Sequence, residues 1–178
     1  MDFSEAEHGA FIEAFVEFFS GRLDDTRTVE ELHLAAEHLT RGCQEHYRAS
    51  VTRVSRIGGA VPPEKVDAFK DRALGLLNAP DSDAFLERAS LLIRDFPSLK
   101  SWMAWWMRPS NASRLFESER VMDIEIWTSL PSTTNAEEAM HWKLYCACGR
   151  NHPFFEGLEA LFKVTKYFQE RHEAASSE

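Results

Sequence analysis

Apolar residues recur along this chain at helical rather than strand spacing. Phe11, Ala14, Phe15 and Phe18 lie three and four apart, behind a Ser4–Glu7 pair with the spacing of a capping box. Gly21 ends that first predicted helix. Thr28 and Glu31 repeat the capping pattern, and a stripe of Leu32, Ala36, Leu39, Cys43, Tyr47, Ser50 and Val54 follows. The stripe predicts one long helix over about 29–56, closed by Gly58-Gly59. Arg41, Arg48, Arg53 and Arg56 fall roughly opposite the stripe.

"VPPEK" opens a third predicted helix with proline in its first turn, and Val66, Phe69, Ala73, Leu76 and Leu77 give its buried face. Asp81-Ser82 begins another, carrying Phe85, Ala89 and Leu92 and stopped by Pro97. "SLKSWMAWWM" reads as a short helix ending before Pro109. Residues 109–134 read mostly as loop, with "VMDIEIW" alternating apolar and polar side chains as one short strand would. Two helices close the chain, over about 135–147 and 153–171, before a frayed "EAASSE" end. Internal repeats and low-complexity linkers are absent from the sequence. The expectation is a mainly α, single domain over 1–178.

Bulk properties narrow the function classes. A chain of 178 residues with 44% hydrophobic content can bury a sizeable core. No apolar run approaches the roughly 20 residues of a membrane span. The acidic start "MDFSEAEHGAF" has neither a basic nor an apolar signal-peptide region, and three cysteines argue against a secreted disulfide scaffold. The expected location is therefore nuclear or cytoplasmic, not secreted. A net charge of −9 argues against a simple nucleic-acid coating protein. It leaves room for a catalytic module that gathers cations with carboxylates and leaves the DNA grip to another domain.

Four groups of residues are candidates for chemistry. Cys43 and His46, three apart on the predicted helix, share a face and are expected to turn inward. They read either as a small buried thiol with a core histidine or as half of a metal site. With Cys146, Cys148 and His152 of "CACGRNH" they supply the thiolate and imidazole donors of a zinc site, although C-x-C is less typical than C-x-x-C. Glu137 and Glu138 follow Thr134 and Asn135 by three, so either completes a capping box, and a carboxylate there also suits the helix dipole. His141 shares a face with Glu138. "WMAWWM" places Trp102 and Trp106 on one face and Trp105 elsewhere, a pattern for core packing or for base stacking.

The order of these motifs carries a resemblance. "DFSEAEHGAFIEAF", "GCQEHYRASVTRV", "FPSLKSWMAWWMRP" and "LPSTTNAEEAMH" together resemble the C-terminal half of the catalytic region of Mutator-like and Kyakuja–Dileera–Zisupton-type transposases of fungal mobile elements. The resemblance runs from Asp2 to the final helix. It implies a helical fragment of an RNase H-like α/β core with most of the sheet missing, a helical insertion over about 60–130, and the last helices over about 135–171. It implies that Asp2 is the second acid of a D-D-E set, Glu138 its final glutamate, and Cys43 with His46 the C-x-x-H pair. Asp2 and Glu138 should then converge on Mg²⁺ or Mn²⁺, with His46 in the same cleft, and DNA is the implied partner.

The sequence departs from that pattern in lacking a match to the first aspartate and to the early strands, so the chain is expected to be inactive alone. Two rival expectations remain. One is a non-catalytic helical module that uses an aromatic surface to form a homo-oligomer or bind another protein. The other is a small zinc-stabilised domain.

Overall fold

A computed structural model describes residues 3–133 and 135–175, excluding the side chains of residues 135–138, 140 and 141. The fold is mainly helical, with no strand among the described residues. Two compact units emerge, Met1–Thr133 and Thr134–Glu178. No shift in composition marks that boundary in the sequence.

The first unit begins with α1 (Glu5–Ser20) and α2 (Val29–Glu37), which pack on one another. Ser4 Oγ accepts the Glu7 N–H at the head of α1. At the head of α2 the capping box is complete: Glu31 donates its N–H to Thr28 Oγ1, and Thr28 donates its own to the Glu31 carboxylate.

The long helix expected over 29–56 is two helices. After α2 the chain breaks, and α3 (Gln44–Ser55) starts from Cys43 in an extended conformation. Tertiary contacts explain the break. The Gly42 N–H donates to the Arg114 carbonyl at 2.8 Å instead of continuing a helical ladder. The Phe3 ring also lies so close to Gly42 that a Cβ there would sit 2.4 Å from Phe3 Cζ. The apolar period continues through the break because both helices bury a face, Leu32 and Ala36 in one, Tyr47, Val51 and Val54 in the other.

Four further helices complete the unit's middle. A tight turn at Pro63–Lys65 leads into α4 (Val66–Gly75), and Asp81 caps α5 (Ser82–Asp95) by accepting the Ala84 N–H. Pro97–Leu99 leads into α6 (Lys100–Trp106), followed by α7 (Pro109–Leu115). The core holds Tyr47, Phe69, Leu76, Phe85, Leu92, Met103, Leu115 and Phe116, all fully buried. Burying each such apolar side chain contributes about 1.5–3 kcal/mol. Tyr47 is the polar exception. Its hydroxyl donates to the Ala73 carbonyl at 2.8 Å, and burial pushes its pKa far up, so it stays a neutral donor.

The "VMDIEIW" segment is not a strand. Asp123 Oδ1 accepts the Glu125 N–H and starts α8 (Ile124–Ser129), which buries Trp127. A strand needs a partner to satisfy its backbone, and the described residues offer none. Much of the stretch expected to be loop is thus helical, in α7 and α8.

The second unit is a helix pair, α9 (Asn135–Cys148) and α10 (Phe154–Ala175), packed on each other. Gly149, at φ 84°, takes the left-handed turn that closes α9 and donates its N–H to the Tyr145 carbonyl. Phe154, Phe155 and Phe162 remain exposed on α10. No helix of the described residues is long and apolar enough to cross a membrane.

Candidate functional site at the head of helix α3

Three segments distant in sequence meet at Gly42–Gln44. The first is Phe3. Its ring touches Gly42, stands edge-on to Trp106 with centroids 5.0 Å apart, and has the Arg114 guanidinium 5.4 Å from its centre. The second is α7, through the Arg114 carbonyl that receives the Gly42 N–H. The third is the stretch before α9, because Gln44 donates its N–H to the Ser132 carbonyl at 2.8 Å. The first N–H groups of a helix have no internal acceptor, so Ser132 satisfies a donor that α3 would otherwise leave to water.

Arg41 fixes the same stretch from the other side. Its Nη1 donates to the carbonyls of Trp127 and Leu130, and its guanidinium lies 4.3 Å from the Trp127 ring centre. Burial pulls the Arg41 pKa down and the Glu117 charge opposes that pull, yet a guanidinium remains charged in any case. Nearby, Thr40 Oγ1 donates to the Glu37 carbonyl at 3.0 Å and lies 3.5 Å from His8 Nε2. Burial lowers the His8 pKa first, and the Arg114 charge lowers it further.

Beside this junction lies a cleft of about 470 Å³. Ser4, His46 and Arg53 line it together with Trp102, Trp105 and Trp106. Trp102 is held in place by its indole N–H, which donates to Ser50 Oγ at 3.0 Å, and by Tyr47, whose ring lies nearly parallel to it. The tryptophan motif therefore serves both core and surface. Trp106 is buried, while Trp102 and Trp105 are half-buried.

Cys43 is buried, but it precedes α3 as its cap instead of lying within a helix. His46 stands in the first turn of α3 and is exposed. The expected shared inward face is therefore corrected. With the helix beginning at Gln44, the buried positions are Tyr47, Val51 and Val54, and His46 turns to the cleft. Asp2 lies outside the described residues, as do the side chains of Glu137, Glu138 and His141. Both glutamates belong to the first turn of α9, where the sequence places a helix start.

Cys146, Cys148 and His152 belong to the second unit. Cys146 is exposed and Cys148 half-buried. Two positions on a helix differ by about 200° in direction, so the two thiols point apart. His152 Nε2 lies against the Cys148 carbonyl oxygen. Among the described residues no group of three or more His, Cys, Asp or Glu side chains is placed to hold a metal ion.

Sequence reasoning missed the Arg41 clamp and the fully buried Arg114. It also read through Gly42, although a glycine inside an apparent helix marks a close backbone approach or a break. Comparisons with protein-family models, with curated proteins and with solved structures find no match for this chain.

Proposed function

We propose that this chain is the later part of a D-D-E catalytic region of the Mutator-like or Kyakuja–Dileera–Zisupton kind, derived from a fungal mobile element, nuclear or cytoplasmic, with DNA as the partner of the whole catalytic region. Asp2 and Glu138 are its second and third acids, and Cys43 with His46 its C-x-x-H pair. One observation supports this reading above the others. Phe3, which follows Asp2, and Ser132, six positions before Glu138, both contact Gly42–Gln44 at the head of the helix that bears His46. The three motifs are scattered along the sequence, yet their flanking residues share one junction.

The donor chemistry suits a hard cation. Carboxylate oxygens are the ligands that Mg²⁺ and Mn²⁺ take, and thiolates are not. Bound there, such ions would activate water and stabilise the leaving oxygen of a phosphodiester. The described residues fix the flanks of these motifs, Phe3 against Gly42 and the 127–132 stretch against Arg41 and Gln44. On this reading cleavage also requires the first aspartate of the set.

Calorimetric titration tests the reading. Weak Mn²⁺ binding that disappears in Asp2→Asn and in Glu138→Gln is the expected result. Stoichiometric Zn²⁺ binding that depends on Cys146 and His152 would overturn it in favour of a zinc-stabilised domain. Binding of neither ion would leave the helical interaction module.

A further inference from the structure

The cleft beside α3 has a composition at odds with the rest of the chain. The net charge is −9, yet the described lining of this cleft carries no acidic side chain. The larger cleft of the first unit, about 520 Å³, mixes Glu37 and Glu119 with Arg114, and that between α4 and α5 sets Asp71 beside Arg72, Arg88 and Arg94. Arg53 is exposed and makes no ion pair among the described residues. Arg22, Arg27, Arg48, Arg72 and Arg94 are each matched with a carboxylate. Net attraction for an anion therefore remains at Arg53, with exposed His46 beside it.

The opposite chemistry faces these groups. Trp102 and Trp105 present half-buried indoles, and Trp106 is 4% exposed with an indole N–H that has no acceptor among the described residues. These rings are not loose. Trp105 and Trp106 stand edge to face at 4.6 Å, Phe3 braces both, and Ser50 and Tyr47 fix Trp102. A preorganised aromatic wall beside an unpaired cation fits a ligand with a flat apolar ring at one end and an anion at the other. A volume of about 470 Å³ lies within the range of small-ligand sites.

We propose that this cleft binds a nucleotide, with its base against the Trp102 and Trp105 indoles and its phosphate at Arg53 and His46. Free nucleotides and unpaired nucleotides of a DNA strand share this chemistry. The choice of a DNA strand rests on the D-D-E reading; the nucleotide class does not. Aromatic stacking accepts any base, so the site selects unpaired over paired nucleotides and not one sequence over another.

The test uses the whole chain and a fluorescein-labelled short oligodeoxythymidylate, followed by anisotropy, with unlabelled thymidine monophosphate as competitor. Arg53→Glu and Trp105→Ala should each weaken oligonucleotide binding about tenfold or more. Lys65→Glu, the same charge change outside the cleft, should weaken it far less. His46→Ala and Arg53→Glu alter exposed residues, so they keep the test valid should Trp105→Ala not fold. Duplex of the same length should bind more weakly than the single strand. Competition by the monophosphate at the oligonucleotide's own affinity would keep the nucleotide site but remove the strand as its source, and with it this support for the D-D-E reading. Equal losses in Lys65→Glu and Arg53→Glu, or no binding by either ligand, would overturn the proposal.

Discussion

Gln44 donates its backbone N–H to the carbonyl of Ser132, although 88 positions separate them. This bond joins the head of α3 to the stretch that runs toward α9. First-turn amides of a helix usually exchange quickly with solvent because they lack internal acceptors. The amides of Gly42 and Gln44 should instead be protected, since Arg114 and Ser132 accept them. Residue-level hydrogen exchange checks this. Rapid exchange at both would show that the junction does not persist in solution.

Arg41 should matter for that protection. Arg41→Ala removes a guanidinium–indole contact and leaves two carbonyls without their donor. The expected loss is about 2 kcal/mol in urea unfolding. Exchange should rise at Gln44 more than at Tyr47, which is held by the core. Arg41→Lys should recover only part of the loss, because a single ammonium does not reproduce a planar fork. An unchanged midpoint in Arg41→Ala would refute the clamp.

Gly42→Ala should cost about 1–3 kcal/mol, since the new methyl would meet the Phe3 ring at 2.4 Å. The cause is separable from helix propensity, which favours alanine. Combined with Phe3→Ala, the cost of Gly42→Ala should fall sharply, giving a clear coupling energy in a double-mutant cycle. Additive effects would mean that the Phe3 contact is not what excludes a side chain there.

His8 gives the fold a pH dependence. Its folded pKa lies below the ordinary 6.5, chiefly through burial and then through Arg114. The unfolded chain therefore binds the proton more readily. Stability is fully present above pH 6.5 and falls as the pH drops through that value toward the folded pKa. Asp25 and Asp95, held down to about 2 by Arg27 and by Arg94 with Arg72, act only at more acid pH. Thermal midpoints measured from pH 8 to 5 should decline more steeply in the natural chain than in His8→Gln. Parallel curves would assign the decline elsewhere.

Local signals carried much of the fold into the sequence. The Thr28–Glu31 box, the Asp81 cap, Pro97 and the start of α9 are all short-range, and each lies where the residues place it. Two segments were illegible. The break at 38–43 depends on partners far along the chain, Arg114 and Phe3, which hydrophobic period cannot register. The helix at 124–129 starts from a local signal, the Asp123 cap, which the alternating apolar pattern masked, and the distant Arg41 clamp fixes its end. The candidate site divides likewise. Cys43, His46 and the tryptophans could be named from spacing, but that His46 faces a cleft follows only once α3 begins at Gln44.

Metal-directed cleavage of the chain itself tests the central claim most directly. Fe²⁺ replaces Mg²⁺ at carboxylate sites and, with ascorbate and peroxide, cuts backbone beside the bound ion. If Asp2 and Glu138 share a cation, the main cut falls next to Glu138, excess Mg²⁺ suppresses it, and Asp2→Asn abolishes it. A cut near Glu138 that survives Asp2→Asn, or cuts confined to the Cys146–His152 stretch, would contradict the D-D-E assignment.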